Sequence, residues 1–245
     1  MSSPLTPYLS KNFRPHIGVL LDDIKNSRDK DYFRPHGVSV FVGRQGSGKT
    51  LSAVKLVDDL MKRYPKAKLI TNIIFNRSLI DYGDRITEFQ DIDELAMLLV
   101  STNNGKYGVI YLIDEIHTYF NSLESKNIPP HIFTEIAQQR KQKKLIIGTS
   151  QLWDRMAKPF REQADLEIRC NTAFGILTTQ TIIDAWTLEM NNKTGRSEGQ
   201  IIKRSWFFQD RRLRNLYDTF QKVVFSSAQM EFENSNKFLY KQVKK

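Results

Sequence analysis

The chain has 245 residues, 40% of them hydrophobic, and a formal net charge of +10. That length supports one large core with an appendage, and the charge favours a polyanionic partner. One cysteine, Cys170, excludes an internal disulfide framework and a Cys-rich zinc site, so it reads as a small buried residue. No run approaches the roughly 20 apolar residues that cross a bilayer, and Met1-Ser2-Ser3-Pro4 does not open a signal peptide. The expected location is cytoplasmic.

Residues 1–36 read as an irregular arm interrupted by Pro4, Pro7, Pro15 and Pro35. Residues 38–42 form an apolar strand that runs into Gly43-Arg44-Gln45-Gly46-Ser47-Gly48-Lys49-Thr50, and a helix follows over residues 51–64. This motif is a phosphate-binding P-loop. Gly43, Gly46 and Gly48 permit positive φ and close backbone approach to phosphate oxygens. Lys49 reaches the β- and γ-phosphates, and the Thr50 hydroxyl is placed to ligate Mg²⁺. Leu51, Val54, Val57, Leu60 and Met61 recur at helical spacing, so the helix has an apolar face for a sheet, and its N-terminus offers free N–H groups to an anion. Cofactor contacts are therefore expected along residues 43–51, Leu51 included, and the ligand is ATP with Mg²⁺.

Further strands are expected at residues 68–74, 109–113, 145–149 and 166–169. Helices are expected at residues 91–100, capped near Asp91, and at residues 131–143 after Pro129-Pro130. The run at 109–113 is wholly apolar, as in a parallel sheet covered on both faces. After Cys170 the pattern changes. Residues 174–179, 181–188 and 200–208 read as antiparallel strands rich in Thr, Ile, Phe and Trp, with a hairpin turn at residues 191–195. Residues 213–224 read as a closing helix. The expected organisation is an arm (1–36), an α/β P-loop NTPase core with a mainly parallel sheet flanked by helices (37–170), and a β-rich extension ending in a helix and a basic tail (171–245).

The strand at 109–113 ends in Asp114-Glu115. Asp114 is placed to hold Mg²⁺ through water, and Glu115 to orient and deprotonate the attacking water. The strand at 145–149 ends in Ser150-Gln151 at the crevice beyond a parallel strand. Gln151 there either senses the γ-phosphate and lytic water or caps the next segment; the sensor role is the expectation. Arg140 is the candidate arginine finger supplied by a neighbour, with Arg155, Arg161 and Arg169 as competitors and a DNA-facing arginine as the alternative. Three basic clusters stand out: Arg140, Lys141, Lys143 and Lys144; Lys203, Arg204, Arg211, Arg212 and Arg214; and Lys237, Lys241, Lys244 and Lys245. His117 reads as a strand-end or packing residue rather than a metal ligand. Trp153, Trp186, Trp206 and Phe207-Phe208 read as core or subunit contacts rather than base-stacking groups.

The ordered set Gly43 to Thr50, Ile113-Asp114-Glu115, Arg140 and Gly148-Thr149-Ser150-Gln151 resembles the FtsK–HerA superfamily of P-loop ATPases over about residues 37–170. The small size resembles the genome-packaging ATPases of tailless, membrane-containing double-stranded DNA viruses. It is also similar to the ATPase domain of zonular occludens toxin-like proteins, which assist filamentous phage assembly and normally carry a transmembrane helix. The resemblance implies a ring-forming motor, typically a hexamer, that moves DNA by ATP hydrolysis. Lys49 and Thr50 would bind the triphosphate and Mg²⁺, Asp114 would complete the metal site and Glu115 would be the base. Arg140 would act in trans and Gln151 as sensor. Further partners would be a capsid vertex or membrane proteins, and for a viral protein the place would be the host cytoplasm or the virion vertex. An assembly factor at a membrane and a nucleotide-dependent DNA-binding switch are the competing readings.

Overall fold

The computed structural model describes residues 29–123, 128, 130–191 and 196–217. Strands β1 (Gly37–Val42), β2 (Lys68–Thr71), β3 (Ile86–Glu88), β4 (Val109–Ile113) and β5 (Lys144–Ser150) alternate with helices α1 (Lys49–Arg63), α2 (Ile92–Ser101) and α3 (Pro130–Ala137). A short helix α4 (Lys158–Arg161) then leads to β6 (Leu166–Ala173), β7 (Leu177–Asp184), the small pair β8 (Glu189–Asn191) and β9 (Arg196–Glu198), β10 (Ile201–Phe208) and α5 (Arg211–Arg214).

Eight strands make one sheet in the order β10-β7-β6-β1-β5-β4-β2-β3. β1 pairs in parallel with both β5 and β6, and β4 in parallel with β5 and β2. The β6–β7 and β7–β10 pairs are antiparallel. The C-terminal strands thus widen the same sheet, and β8–β9 forms a separate two-stranded ribbon.

Side-chain alternation along the central strands sets two cores. Phe41, Ile110, Leu112, Leu145 and Ile147 pack with α1 through Val54, Val57 and Met61. Val38, Val40, Val42, Val109, Tyr111, Ile113 and Ile146 pack on the other face with Leu95, Leu99, Ile132, Ile136 and Phe160. Both faces of β1, β4 and β5 are therefore dry, and polar chemistry is left to the strand ends.

Several elements depart from the sequence reading. β2 stops at Thr71, because the Thr71 hydroxyl turns back to accept from the Ile73 N–H. β3 is an additional edge strand, paired in parallel with β2. α3 ends at Ala137 rather than at 143, and turns through Lys143 (φ 55°) deliver the chain to β5. The two strands expected at 174–179 and 181–188 are largely one, β7, because Thr179, Gln180 and Thr181 keep the β6 register across the polar stretch. The turn at 191–195 falls mostly on residues outside the described set, but β8 and β9 flank it in antiparallel register. The closing helix is only α5, capped by Asp210, whose carboxylate accepts from the Leu213 N–H at 2.6 Å. The rest of the helix expected to 224 lies outside the described residues, as do most of the arm and the last basic cluster.

Candidate active site

The P-loop leaves the buried end of β1, and α1 begins at Lys49 immediately after it. Gly46 and Gly48 adopt φ of 77° and 81°, the left-handed region open to glycine. A Cβ at Gly48 would also lie 2.6 Å from Thr172 Oγ1. Gly43 has no positive φ; there the constraint is space, because a Cβ would strike the Ser47 hydroxyl and the Cys170 carbonyl. The N-terminus of α1 has no side-chain cap and no acidic residue in its first turn, so its N–H groups are left for an anion. Arg44, Gln45 and Gly46 are exposed, and Ser47, Lys49 and Leu51 are buried beneath them.

Across the strand ends, β4 delivers Asp114 and Glu115 to the same rim. Thr50 Oγ1 donates to Asp114 Oδ1 at 2.9 Å, and Thr149 Oγ1 donates to the same oxygen at 2.6 Å. Lys49 Nζ stands 3.1 Å from Glu115 Oε1. Glu115 itself sits at φ 48°, ψ 49°, an uncommon left-handed turn for a non-glycine residue. Gly148 makes room for that turn, since a Cβ on β5 would meet Ile116 Cδ1 at 2.8 Å. Burial pushes the Asp114 carboxyl above its ordinary value, and the hydroxyls of Thr149 and Thr50 pull it back.

Two residues that the sequence reading did not assign hold this geometry. Thr149 Oγ1 donates to Asp114 and accepts from the Glu115 N–H at 2.9 Å, so one hydroxyl fixes both carboxylate residues. The Asn72 carboxamide accepts from the Asp114 N–H at 2.8 Å and donates to the Asp114 carbonyl at 3.0 Å, and it also touches the Tyr119 hydroxyl. The parallel pairing of Ile113 with Gly148 carries the signal for Thr149, because it sets that residue beside Asp114. Asn72 lies just past β2, and only the sheet order brings it to β4.

His117 is close to the acidic pair rather than simply packed. Its Nδ1 lies 3.3 Å from both Glu115 Oε2 and Ser150 Oγ, and burial lowers its pKa. Gln151 lies just past the C-terminal end of β5 and lines a cleft of about 530 Å³ with Gly43, Arg44 and Ser47. Burial raises the pKa of Cys170 to about 11, so it is an inert thiol behind the loop.

The candidate arginines separate. Arg140 is exposed in the turn before β5, at the opposite end of that strand from Gln151, so it is not brought to the P-loop of its own chain. Arg161 pairs with Asp154 at 2.7 Å, and Arg169 grips the buried Glu167 at 2.8 Å. Arg155 is exposed and near enough for its charge to act on His117. Lys144 leaves the first basic cluster altogether: it is buried, bonded to the Leu99 carbonyl and 3.7 Å from Glu135.

The C-terminal segment straps over α1. Gln209 Nε2 donates to Thr178, Thr172 donates to the Ser47 carbonyl at 2.9 Å, and Arg212 pairs with Asp58 on α1 at 2.8 Å. At its far end the strap comes within range of the Asp114 charge. Burial and the Asp114 charge push the Tyr217 hydroxyl up to about 12.

The donor set suits a nucleotide and its metal. Ser47 Oγ and Glu115 Oε2 are buried without a hydrogen bond among the described residues, although the latter lies near His117. Buried polar atoms left in this way are expected where a ligand completes the site. Thr50 and Asp114 would hold Mg²⁺, which supplies charge neutralisation at the phosphates. Fold and site together define a P-loop ATPase.

The chain belongs to the zonular occludens toxin (Zot) family, whose model matches residues 37–203. Among solved structures it is similar to the N-terminal domain of zonular occludens toxin from Neisseria meningitidis, at 16% identity over 76% of this chain and 100% of that chain, with a TM-score of 0.52. It is also similar to the genome-packaging NTPase B204 of Sulfolobus turreted icosahedral virus 2 bound to ATP-gammaS, at 17% identity over 67% and 96% of the two chains, with a TM-score of 0.48. The DNA-packaging ATPase B204 from Sulfolobus turreted icosahedral virus aligns at 16% identity over 69% of this chain and 99% of that chain, with a TM-score of 0.47. No curated protein matches the chain. Of the two resemblances drawn from the motifs, the family match is to the Zot-like one. Among the described residues no helix is long and apolar enough to cross a membrane.

Proposed function

We propose that this protein is an ATP-driven DNA translocase that works as a ring, a hexamer by analogy with its superfamily, in the assembly or packaging of a virus particle. The observation that carries this reading is the convergence of Lys49, Thr50, Asp114 and Glu115 on one rim, with Lys49 paired to Glu115 at 3.1 Å. A triphosphate on the P-loop competes for Lys49 and so releases Glu115 to take a proton from the attacking water. Thr149 and Asn72 hold the two acidic residues while this happens. Gln151, facing the cleft beside the start of the loop, senses the γ-phosphate.

The Zot family match favours phage assembly and secretion at a membrane over the filling of a procapsid. It supports a membrane-protein partner more than a capsid vertex. In the ring reading Arg140 acts on the neighbouring site; its exposed place at the far end of β5 from its own P-loop supports a role in trans over one in its own site, and a DNA-facing arginine is the alternative. The net charge of +10 supports DNA as the polyanion.

Steady-state ATP hydrolysis, measured with and without single- and double-stranded DNA and paired with sedimentation in ATP, tests the proposal. The expected result is DNA-stimulated turnover by an assembled ring. A folded, ATP-hydrolysing protein whose rate ignores DNA of every length and strandedness would remove the translocase reading.

A further inference from the structure

Toward β10 the antiparallel end of the sheet leaves one face open; nearer β1 the same face is covered, with Glu167 and Ile183 buried and Arg169 bonded to the Ser197 carbonyl of β9. Phe207 of β10 packs toward α1, with Lys55 Nζ 5.8 Å from its ring centre. Strand alternation therefore turns Arg204, Trp206 and Phe208 to the opposite face. No residue of β10 enters the core on that face. Trp206 is 65% exposed and Phe208 61%, and their rings meet edge to face at 5.6 Å. Opposite them on β7 stand Thr179 and Leu177.

A third aromatic extends this track to the rim of the P-loop. Phe174 is 94% exposed at the tip of the β6–β7 hairpin and holds φ 53°, a costly backbone for a bulky side chain. The Gln209 N–H bonds the Ile176 carbonyl, which keeps the end of β10 against this tip. From the same hairpin Thr172 contacts the Ser47 carbonyl of the P-loop at 2.9 Å.

Charge selects the occupant. Over residues 201–214 five cations (Lys203, Arg204, Arg211, Arg212 and Arg214) stand against one anion, Asp210, which is engaged as a helix cap. Arg212 and Arg214 are held by Asp58 and Gln209. Lys203, Arg204 and Arg211 are exposed, with Arg204 two residues from Trp206 on the same face. A basic surface with open aromatic rings on an antiparallel sheet matches a chain of phosphates bearing unpaired bases. A duplex hides its base faces in the stack, whereas a single strand can lay them on the rings.

We propose that the open part of this face, on β7 and β10, is a binding site for single-stranded nucleic acid, with Trp206, Phe208 and Phe174 as its stacking platform and Arg204 as its phosphate contact. This rests on the reading of DNA as the partner, but it assigns the strandedness and the surface.

The test is fluorescence anisotropy of labelled oligothymidylate with the full chain, at several salt concentrations. W206A/F208A is expected to weaken binding at least about fivefold per ring, and W206F/F208Y to restore most of it. R204A is expected to weaken binding and flatten its salt dependence. ATP-analogue binding by each variant controls for folding. Unchanged affinity of W206A/F208A, or a wild type that binds duplex but not single strands, overturns the proposal while leaving a DNA translocase standing. Loss of self-association in W206A/F208A with DNA affinity intact makes the face a subunit interface and also overturns it. Conversely, single-strand binding through these rings with no effect of DNA on ATP turnover upholds this site and removes the translocase reading.

Discussion

In the parallel half of the sheet, β1, β4 and β5 are covered on both faces, and every residue of β4 is buried. In the antiparallel half, β10 alternates between a face packed on α1 and a face with Trp206 and Phe208 in the open. The covered half has only its strand ends available for polar work, so Asp114, Glu115, Thr149 and the P-loop crowd one rim. The other half has a broad surface, suited to an extended ligand rather than to a reacting phosphate. The strap from Gln209 to Tyr217 joins the two, gripping α1 through Arg212 and Asp58.

The contrast is sharpest where a single substitution should disable one half and spare the other. Lys49→Ala removes the cation that faces the phosphates and leaves Glu115 without its partner. ATP turnover should fall on the order of 100-fold or more, while binding to the Trp206 face stays within about twofold. Equal losses in both assays would show that the halves are not separable.

Thr149→Val is the next largest effect. It keeps the shape but deprives Asp114 of a 2.6 Å hydrogen bond and the Glu115 N–H of its acceptor. Leaving such buried groups unpaired costs about 1–3 kcal/mol. If that cost falls on the geometry of the acidic pair, kcat should drop about tenfold while nucleotide affinity changes less. A KM effect without a kcat effect would relocate the role of Thr149 to binding.

The strap offers a third test, through pH. Burial pushes the Asp58 carboxyl up, but hydrogen bonds from Arg212, Lys62 and Tyr82 outweigh this and hold it at about 2, against an ordinary 3.8. A carboxylate lowered on folding stabilises the native state above about pH 4 and loses that contribution as pH falls toward 2. Asp58→Asn should therefore destabilise by about 1–2 kcal/mol at neutral pH, discounted because Lys62 and Arg212 are half exposed. Thermal melts of the two proteins should converge as pH falls below about 4. A gap that persists at low pH would assign the effect to packing instead.

Trp206→Ala should have the smallest effect on stability, within about 0.5 kcal/mol, because its ring is mostly in solvent. A large loss in a denaturant melt would mean that the face is part of the core.

Much of the parallel half was legible in the sequence because its signals are local. The apolar run 109–113 is β4 as observed, Asp91 caps α2 through the Glu94 N–H, and the motif at 43–50 leads straight into α1. β3 escaped because Ile-Thr-Glu is too short to show a period. Asn72 and the position of Thr149 escaped because their roles depend on which strands are neighbours, a long-range fact. The same holds for Lys144, whose charge reads as surface until Glu135 and the Leu99 carbonyl are seen around it. In the antiparallel half, alternation predicted strands but not which face would lack a cover, so Trp206 and Phe208 read as ordinary core or contact residues.

Everything proposed for the covered half turns on Glu115, released from Lys49, acting as the base of an ATPase. Single-turnover hydrolysis by Glu115→Gln, with ATP binding measured in parallel, tests it most directly. Retained nucleotide binding with hydrolysis slowed about 10²–10⁴-fold is the expected result. Wild-type hydrolysis by Glu115→Gln would contradict it.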